Sequence, residues 1–141
     1  MQASGNLLHL ALSLIIVPDD IDAACDKILN QGFITDADLP ELKSKLQMIV
    51  GHPAVRPFFG SKGQVAVESE ILAPGGKSFR PDRIVFHNTH TDLIDYKAGK
   101  PLESHKNQIR QYASLLNEMG YPDIRSWLVY LEAPVEVVSV G

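Results

Sequence analysis

The fold turns on residues 79–97, Phe79-Arg80-Pro81-Asp82-Arg83-Ile84-Val85-Phe86-His87-Asn88-Thr89-His90-Thr91-Asp92-Leu93-Ile94-Asp95-Tyr96-Lys97. Two apolar runs flank a short polar stretch, so the expected structure is a hairpin of strands 79–86 and 92–97 turning at His87-Asn88-Thr89-His90. With that turn, counting back along both strands sets Asp82 directly opposite Asp95. Side chains alternate faces along a strand, so Lys97 shares the face of Asp95 and is expected across from Arg80. Pro81 brings no ladder donor and marks an edge or a bulge, and a bulge of one residue would shift this pairing.

Directly opposed Cβ atoms lie about 4.5–5.5 Å apart, a distance at which two carboxylates repel. Val85, Ile84, Phe86, Leu93 and Ile94 make the hairpin apolar on both faces, which reads as an interior of a sheet. Buried unpaired charge there costs several kcal/mol. Lys97 can neutralise one carboxylate. A divalent ion can serve both, and ligation by oxygen alone suits Mg²⁺ or Mn²⁺. An Asp–Lys–Asp salt-bridge cluster is the alternative that spacing leaves open. Two carboxylates, a cation and a lysine suit phosphodiester hydrolysis, with the lysine as base or as stabiliser of developing charge.

Outward from the hairpin, 65–72 alternates as a strand and Ala73-Pro74-Gly75-Gly76 is a turn. On that strand Glu68 and Glu70 read as a half-solvated face, or one of them as support for the site. Residues 102–119 have helical periodicity and end at Gly120, and 126–131 and 135–140 read as late strands. Toward the N-terminus the pattern predicts helices over 5–17, 21–31 (capped by Asp19 or Asp20 and stopped by Gly32) and 39–50, the last beginning from Asp36 or Asp38 and ending at Gly51. The order of elements predicts an α/β fold: a mixed sheet flanked by helices, with an N-terminal helical portion. The 141 residues read as one domain, with a helical part over 1–51 and a sheet-bearing core over 64–140.

Composition narrows the function classes. The net charge of −4 argues against a chain that coats nucleic acid by bulk charge. Residues 1–50 hold seven acids and three bases, while 51–141 hold ten of each. Arg80, Arg83, Lys100, Lys106 and Arg110 therefore stand as candidates for a local rim that grips DNA phosphates in a salt-dependent way. A lone Cys25 on an apolar helix face reads as a buried thiol, excludes an internal disulfide and leaves the cytoplasm as the default expectation. The apolar run 7–17 is interrupted by His9 and Ser13 and is too short for a membrane span. Met1-Gln2-Ala3-Ser4 reads as a linker end, as if the chain were part of something larger.

The pattern Asp82-Arg83-Ile84 with Ile94-Asp95-Tyr96-Lys97-Ala98-Gly99, preceded by Gly5 and His9 at Gly-x-x-x-His spacing and followed by Gln108 and Tyr112 at Gln-x-x-x-Tyr spacing, resembles the PD-(D/E)XK nuclease superfamily. Within it, the pattern is most similar to the C-terminal nuclease domain of RecB- and AddA-type helicase–nucleases. All four elements occur in order over nearly the whole chain. The resemblance implies a restriction-endonuclease-like fold and an Mg²⁺-dependent (or Mn²⁺-dependent) deoxyribonuclease, an exonuclease module of DNA recombination or repair that works with a helicase motor. It implies that His9, Asp82, Asp95 and the Tyr96 carbonyl ligate the metal, that Lys97 is catalytic, and that Gln108 and Tyr112 shape the site or contact DNA.

Taken without the family, His9 reads as a core histidine, Tyr112 as core packing and Gln108 as a solvated face. The helicase motor is not in this chain: Gly75-Gly76-Lys77-Ser78 lacks the earlier glycine of a phosphate-binding loop, because position 71 is Ile, so no ATP site is expected. Nor can one cysteine hold an iron–sulfur cluster. Ala98 stands where Thr or Ser is commoner in the family. Two other readings stay open: a non-catalytic DNA-binding scaffold with the same fold, and a stand-alone endonuclease or resolvase.

Overall fold

The computed structural model describes residues 4–60, 64–73 and 75–141. Met1-Gln2-Ala3 and Pro74 of the expected turn lie outside the described residues. The chain divides into two compact units, Met1–Lys62 and Gly63–Gly141.

The first unit is helical. Helix α1 (Gly5–Ser13) starts where the Ser4 side chain accepts the Leu7 N–H. It stops four residues before the expected end at 17. Val17 precedes Pro18 and is held extended, and the Asp20 carboxylate takes the N–H groups of Ile16 and Val17 at 3.0 and 3.1 Å. Asp20 thus caps a short 3₁₀ turn and does not cap α2 (Ile21–Asn30) with its side chain. Asp38 acts in the same way on Thr35, before α3 (Leu39–Val50), which ends at Gly51. Cys25 is buried, and burial, with Asp22 and Asp26 nearby, raises its thiol pKa.

The second unit is a five-stranded mixed sheet in the order β1-β4-β5-β6-β7: β1 (Gln64–Val67), β4 (Arg83–Phe86), β5 (Thr91–Lys97), β6 (Ile124–Tyr130) and β7 (Glu136–Val140). A separate two-stranded ribbon pairs β2 (Ile71–Leu72) with β3 (Ser78–Phe79). Only β5 and β6 run parallel, joined through α4 (Glu103–Glu118). The α4 side chains Ile109 and Leu116 cluster with Ile84, Leu93, Leu128, Tyr130 and Val140, so the helix covers the face that also carries Asp95 and Lys97. The chain is therefore α/β, as its pattern of elements implies. Among the described residues no helix is long and apolar enough to cross a membrane.

The hairpin register is the expected one. Arg83 pairs with Ile94, Val85 with Asp92 and Phe86 with Thr91, and His87 donates its N–H to the His90 carbonyl. Two expected strands are broken. The stretch 65–72 divides at Glu68, whose backbone takes φ 45° and ends β1. The stretch 79–86 divides at Arg80-Pro81-Asp82, where proline withholds a ladder donor. As a result Arg80 has no strand partner in β5. It is exposed, and its guanidinium donates to the Glu68 carbonyl at 2.8 Å, so the expected pairing across from Lys97 is not formed.

Candidate active site

Asp82 sits just before β4 and Asp95 within β5, on the next opposed positions of the ladder. Both are largely buried, at 9% and 6% exposure. Asp82 Oδ2 accepts the Tyr96 backbone N–H at 2.7 Å. The Asp82 carboxyl group stands against charging Asp95, as a like charge does at close range. Burial first, then the Asp82 hydrogen bond and charge, push the Asp95 pKa up to about 7, against the opposing pull of Lys97. Lys97 Nζ lies 2.8 Å from Asp95 Oδ2.

Helix α4 lays its polar edge over this pair. Lys97 donates to Gln108 Oε1 at 2.8 Å, and Gln108 Nε2 donates to the Tyr112 hydroxyl at 3.3 Å. The spacing of four residues puts Gln108 and Tyr112 on one helix face. Tyr112 also packs its ring against Phe79 with centroids 5.2 Å apart. The ammonium of Lys97 is thus held from two sides, by a carboxylate of its own strand and an amide of the covering helix.

A third carboxylate stands near Asp82. Glu68 is half-buried at the end of β1, with its carboxylate oxygen within 4.8 Å of one on Asp82. Its N–H donates to the Asp82 carbonyl at 3.1 Å, and Arg80 holds its carbonyl. A glutamate at φ 45° costs about 1–2 kcal/mol of backbone strain, and strain of this kind gathers at functional sites. Sequence left Glu68 between a solvated face and a supporting role. Only the left-handed backbone, which a glutamate does not announce, turns it toward Asp82.

The remaining expected residues divide. His9 lies half-buried on α1 of the helical unit. Arg80, Lys100 and Arg110 are exposed, and Lys106 is half-buried. Arg110 is engaged by Glu103 and Asn107 on its own helix. Arg83 corrects the proposed rim: it is fully buried at 0% exposure beside Tyr96, so it is not available to a phosphate backbone. Its alternation along β4 turns it away from the face of Asp95.

The largely buried Asp82 and Asp95 offer oxygen donors with a lysine alongside. That set fits a hard divalent cation, because the cation would remove the repulsion between Asp82 and Asp95.

No family model matches the chain, and no curated protein matches it either. It is similar to a solved structure described as "Crystal structure of SSO0001", with 18% identity and a TM-score of 0.41, over 93% of this chain. The chain spans 66% of the length of that one.

Proposed function

We propose that the chain is a divalent-metal-dependent deoxyribonuclease of the PD-(D/E)XK type, with a restriction-endonuclease-like core. The observation that carries this reading is the buried pair Asp82 and Asp95 on the next opposed positions of the ladder, with Lys97 2.8 Å from Asp95. An ordinary structural cluster has no reason to set two carboxylates against each other in a sheet interior, where repulsion and desolvation add.

In this reading Asp82 and Asp95 hold Mg²⁺ or Mn²⁺, with Glu68 beside them. A cation there supplies Lewis-acid polarisation of the scissile phosphate. The backbone N–H of Tyr96 fixes one oxygen of Asp82, so the carboxylate is oriented before any ligand arrives. Lys97, steadied by Asp95 and Gln108, presents its ammonium to the reacting phosphodiester, where it offsets developing negative charge or orients the attacking water. Arg80, Lys100 and Lys106 contribute to a rim for DNA phosphates. The Gln108–Tyr112 pair, and the similarity of the whole pattern to helicase–nucleases, support an exonuclease module that works with a helicase motor in DNA recombination or repair.

The test is a time course on end-labelled linear and closed circular duplex DNA, with Mg²⁺ and with chelator. Loss of the linear DNA from its ends, sparing the circle and stopped by chelator, is the expected result. Nicking of the circle would make the enzyme an endonuclease. DNA binding with no Mg²⁺-dependent cleavage of either substrate would contradict the proposal and leave a binding scaffold.

A further inference from the structure

The turn end of the same hairpin carries a second cluster of metal-ligating side chains. Asp92 Oδ2 lies 3.0 Å from His87 Nε2 and 3.4 Å from His90 Nε2. The candidate donor atoms of all three residues lie within 4.8 Å of one another. Three residues separate Asp92 from Asp95, so their side chains leave opposite faces of β5. Along β4, His87 is five residues from Asp82, roughly 17 Å at strand rise. The two clusters are separate sites.

We infer that His87, His90 and Asp92 hold a divalent ion of the zinc class, independently of the carboxylate pair at the other end of the hairpin. Two imidazoles and one carboxylate select borderline ions such as Zn²⁺ over Mg²⁺, which takes oxygen donors. Bonds of about 2.0–2.1 Å in a tetrahedron put neighbouring donors roughly 3.3 Å apart. The observed 3.0 and 3.4 Å from Asp92 to the two histidines bracket that value, so both histidine–carboxylate spacings already suit the ion.

The ligands are also braced from behind, as metal ligands are. The Trp127 indole N–H donates to Asp92 Oδ1 at 3.0 Å, which leaves Oδ2 for the histidines or an ion. The Thr89 hydroxyl meets His90 Nδ1 at 3.1 Å and points Nε2 into the cluster. The His87 and His90 rings stack with centroids 4.2 Å apart, which holds both on one side of Asp92. Three protein ligands leave a position for water, and the bound ion would pin the turn that fixes the hairpin register. A hydrogen-bonded His–Asp–His cluster with no ion is the competing account.

The experiment removes the first site and titrates the second. Zn²⁺ is added to the chain carrying Asp82→Asn and Asp95→Asn, against a chromophoric chelator, and then to the same chain with His90→Ala or His87→Ala. One Zn²⁺ per chain is expected, with affinity falling at least about tenfold on loss of either histidine and no competition from excess Mg²⁺. Co²⁺ added to the otherwise unaltered chain gives a second readout: imidazole-type visible absorption that His90→Ala abolishes, with circular dichroism unchanged. Equal Zn²⁺ affinity with and without His90, or a Co²⁺ spectrum that follows Asp82 and Asp95 instead, would overturn the inference. Neither outcome bears on DNA cleavage, so the two sites are judged separately.

Discussion

Tyr96 donates its backbone N–H to Asp82 across 2.7 Å, tying a residue that precedes β4 to the C-terminal end of β5. The bond does what the missing strand pairing cannot. Pro81 has broken the ladder, yet Asp82 keeps the position opposite Asp95 that an unbroken hairpin would give it. It also decides how the pair should be probed. Asp82→Ala would strand a buried N–H at a cost of about 1–3 kcal/mol. Asp82→Asn keeps an acceptor and is the cleaner variant.

Stability without metal should depend on pH through Asp95. Its folded pKa of about 7 stands above the ordinary 3.8. The stabilising contribution of the protonated form is therefore complete below about pH 4 and is lost as the pH rises through 7. Thermal melts in chelator should show Tm falling on the order of 5 °C between pH 5 and pH 8. Asp95→Asn should flatten that slope. Saturating Mn²⁺ should raise Tm more at pH 8 than at pH 5, because the cation competes with the proton. An unchanged slope in Asp95→Asn would show that another group titrates.

Gln108 positions Lys97 and does not itself carry charge. Gln108→Ala should lower the single-turnover cleavage rate about tenfold to a hundredfold, with DNA affinity nearly unchanged. Tyr112→Phe should cost less, since its bond to Gln108 is long at 3.3 Å and the ring packing on Phe79 survives. A larger loss for Tyr112→Phe than for Gln108→Ala would reverse this ordering and place the hydroxyl on the substrate.

Glu68 separates strain from ligation. Glu68→Gln keeps the backbone and should weaken Mn²⁺ binding, read by calorimetry, about tenfold. Glu68→Gly relieves φ 45° and should raise the metal-free stability by about 1 kcal/mol while also losing the carboxylate. A destabilised glycine variant would mean that the Glu68 side chain contributes more to folding than its backbone costs.

Arg83 and Lys100 should behave oppositely. Arg83→Ala should destabilise the fold by about 3 kcal/mol or more, because it empties a fully buried site beside Tyr96, and should leave the salt dependence of DNA binding intact. Lys100→Ala should leave Tm unchanged and reduce the slope of log K against log salt by about one, the value for one phosphate contact. A reduced slope for a folded Arg83 variant would return Arg83 to the DNA-facing rim.

The hairpin was legible because its register follows from two local facts: apolar runs that demand pairing, and a four-residue turn. Asp82, Asp95 and Lys97 come together on that reckoning alone. Helix α4 was legible from its periodicity, and Gln108 meets Lys97 because four-residue spacing set the polar edge. Backbone events were not legible. Glu68 in the left-handed region is invisible to patterning, which read 65–72 as one strand. Arg83 looked like a surface base because charge in sequence says nothing of burial. Its neighbour Tyr96 lies across the hairpin, on the face opposite Asp95. The His87–His90–Asp92 cluster shows in the sequence only as a polar turn, because its convergence depends on the rings stacking over Asp92.

The most direct test is the rate of Mg²⁺-dependent cleavage of end-labelled linear DNA by the unaltered chain and by Asp82→Asn, Asp95→Asn and Lys97→Met, each checked for folding by circular dichroism. The account predicts a fall of about 10²-fold to 10³-fold or more in each variant, and no cleavage by any of them in chelator. Cleavage by all three folded variants at the rate of the unaltered chain would contradict it.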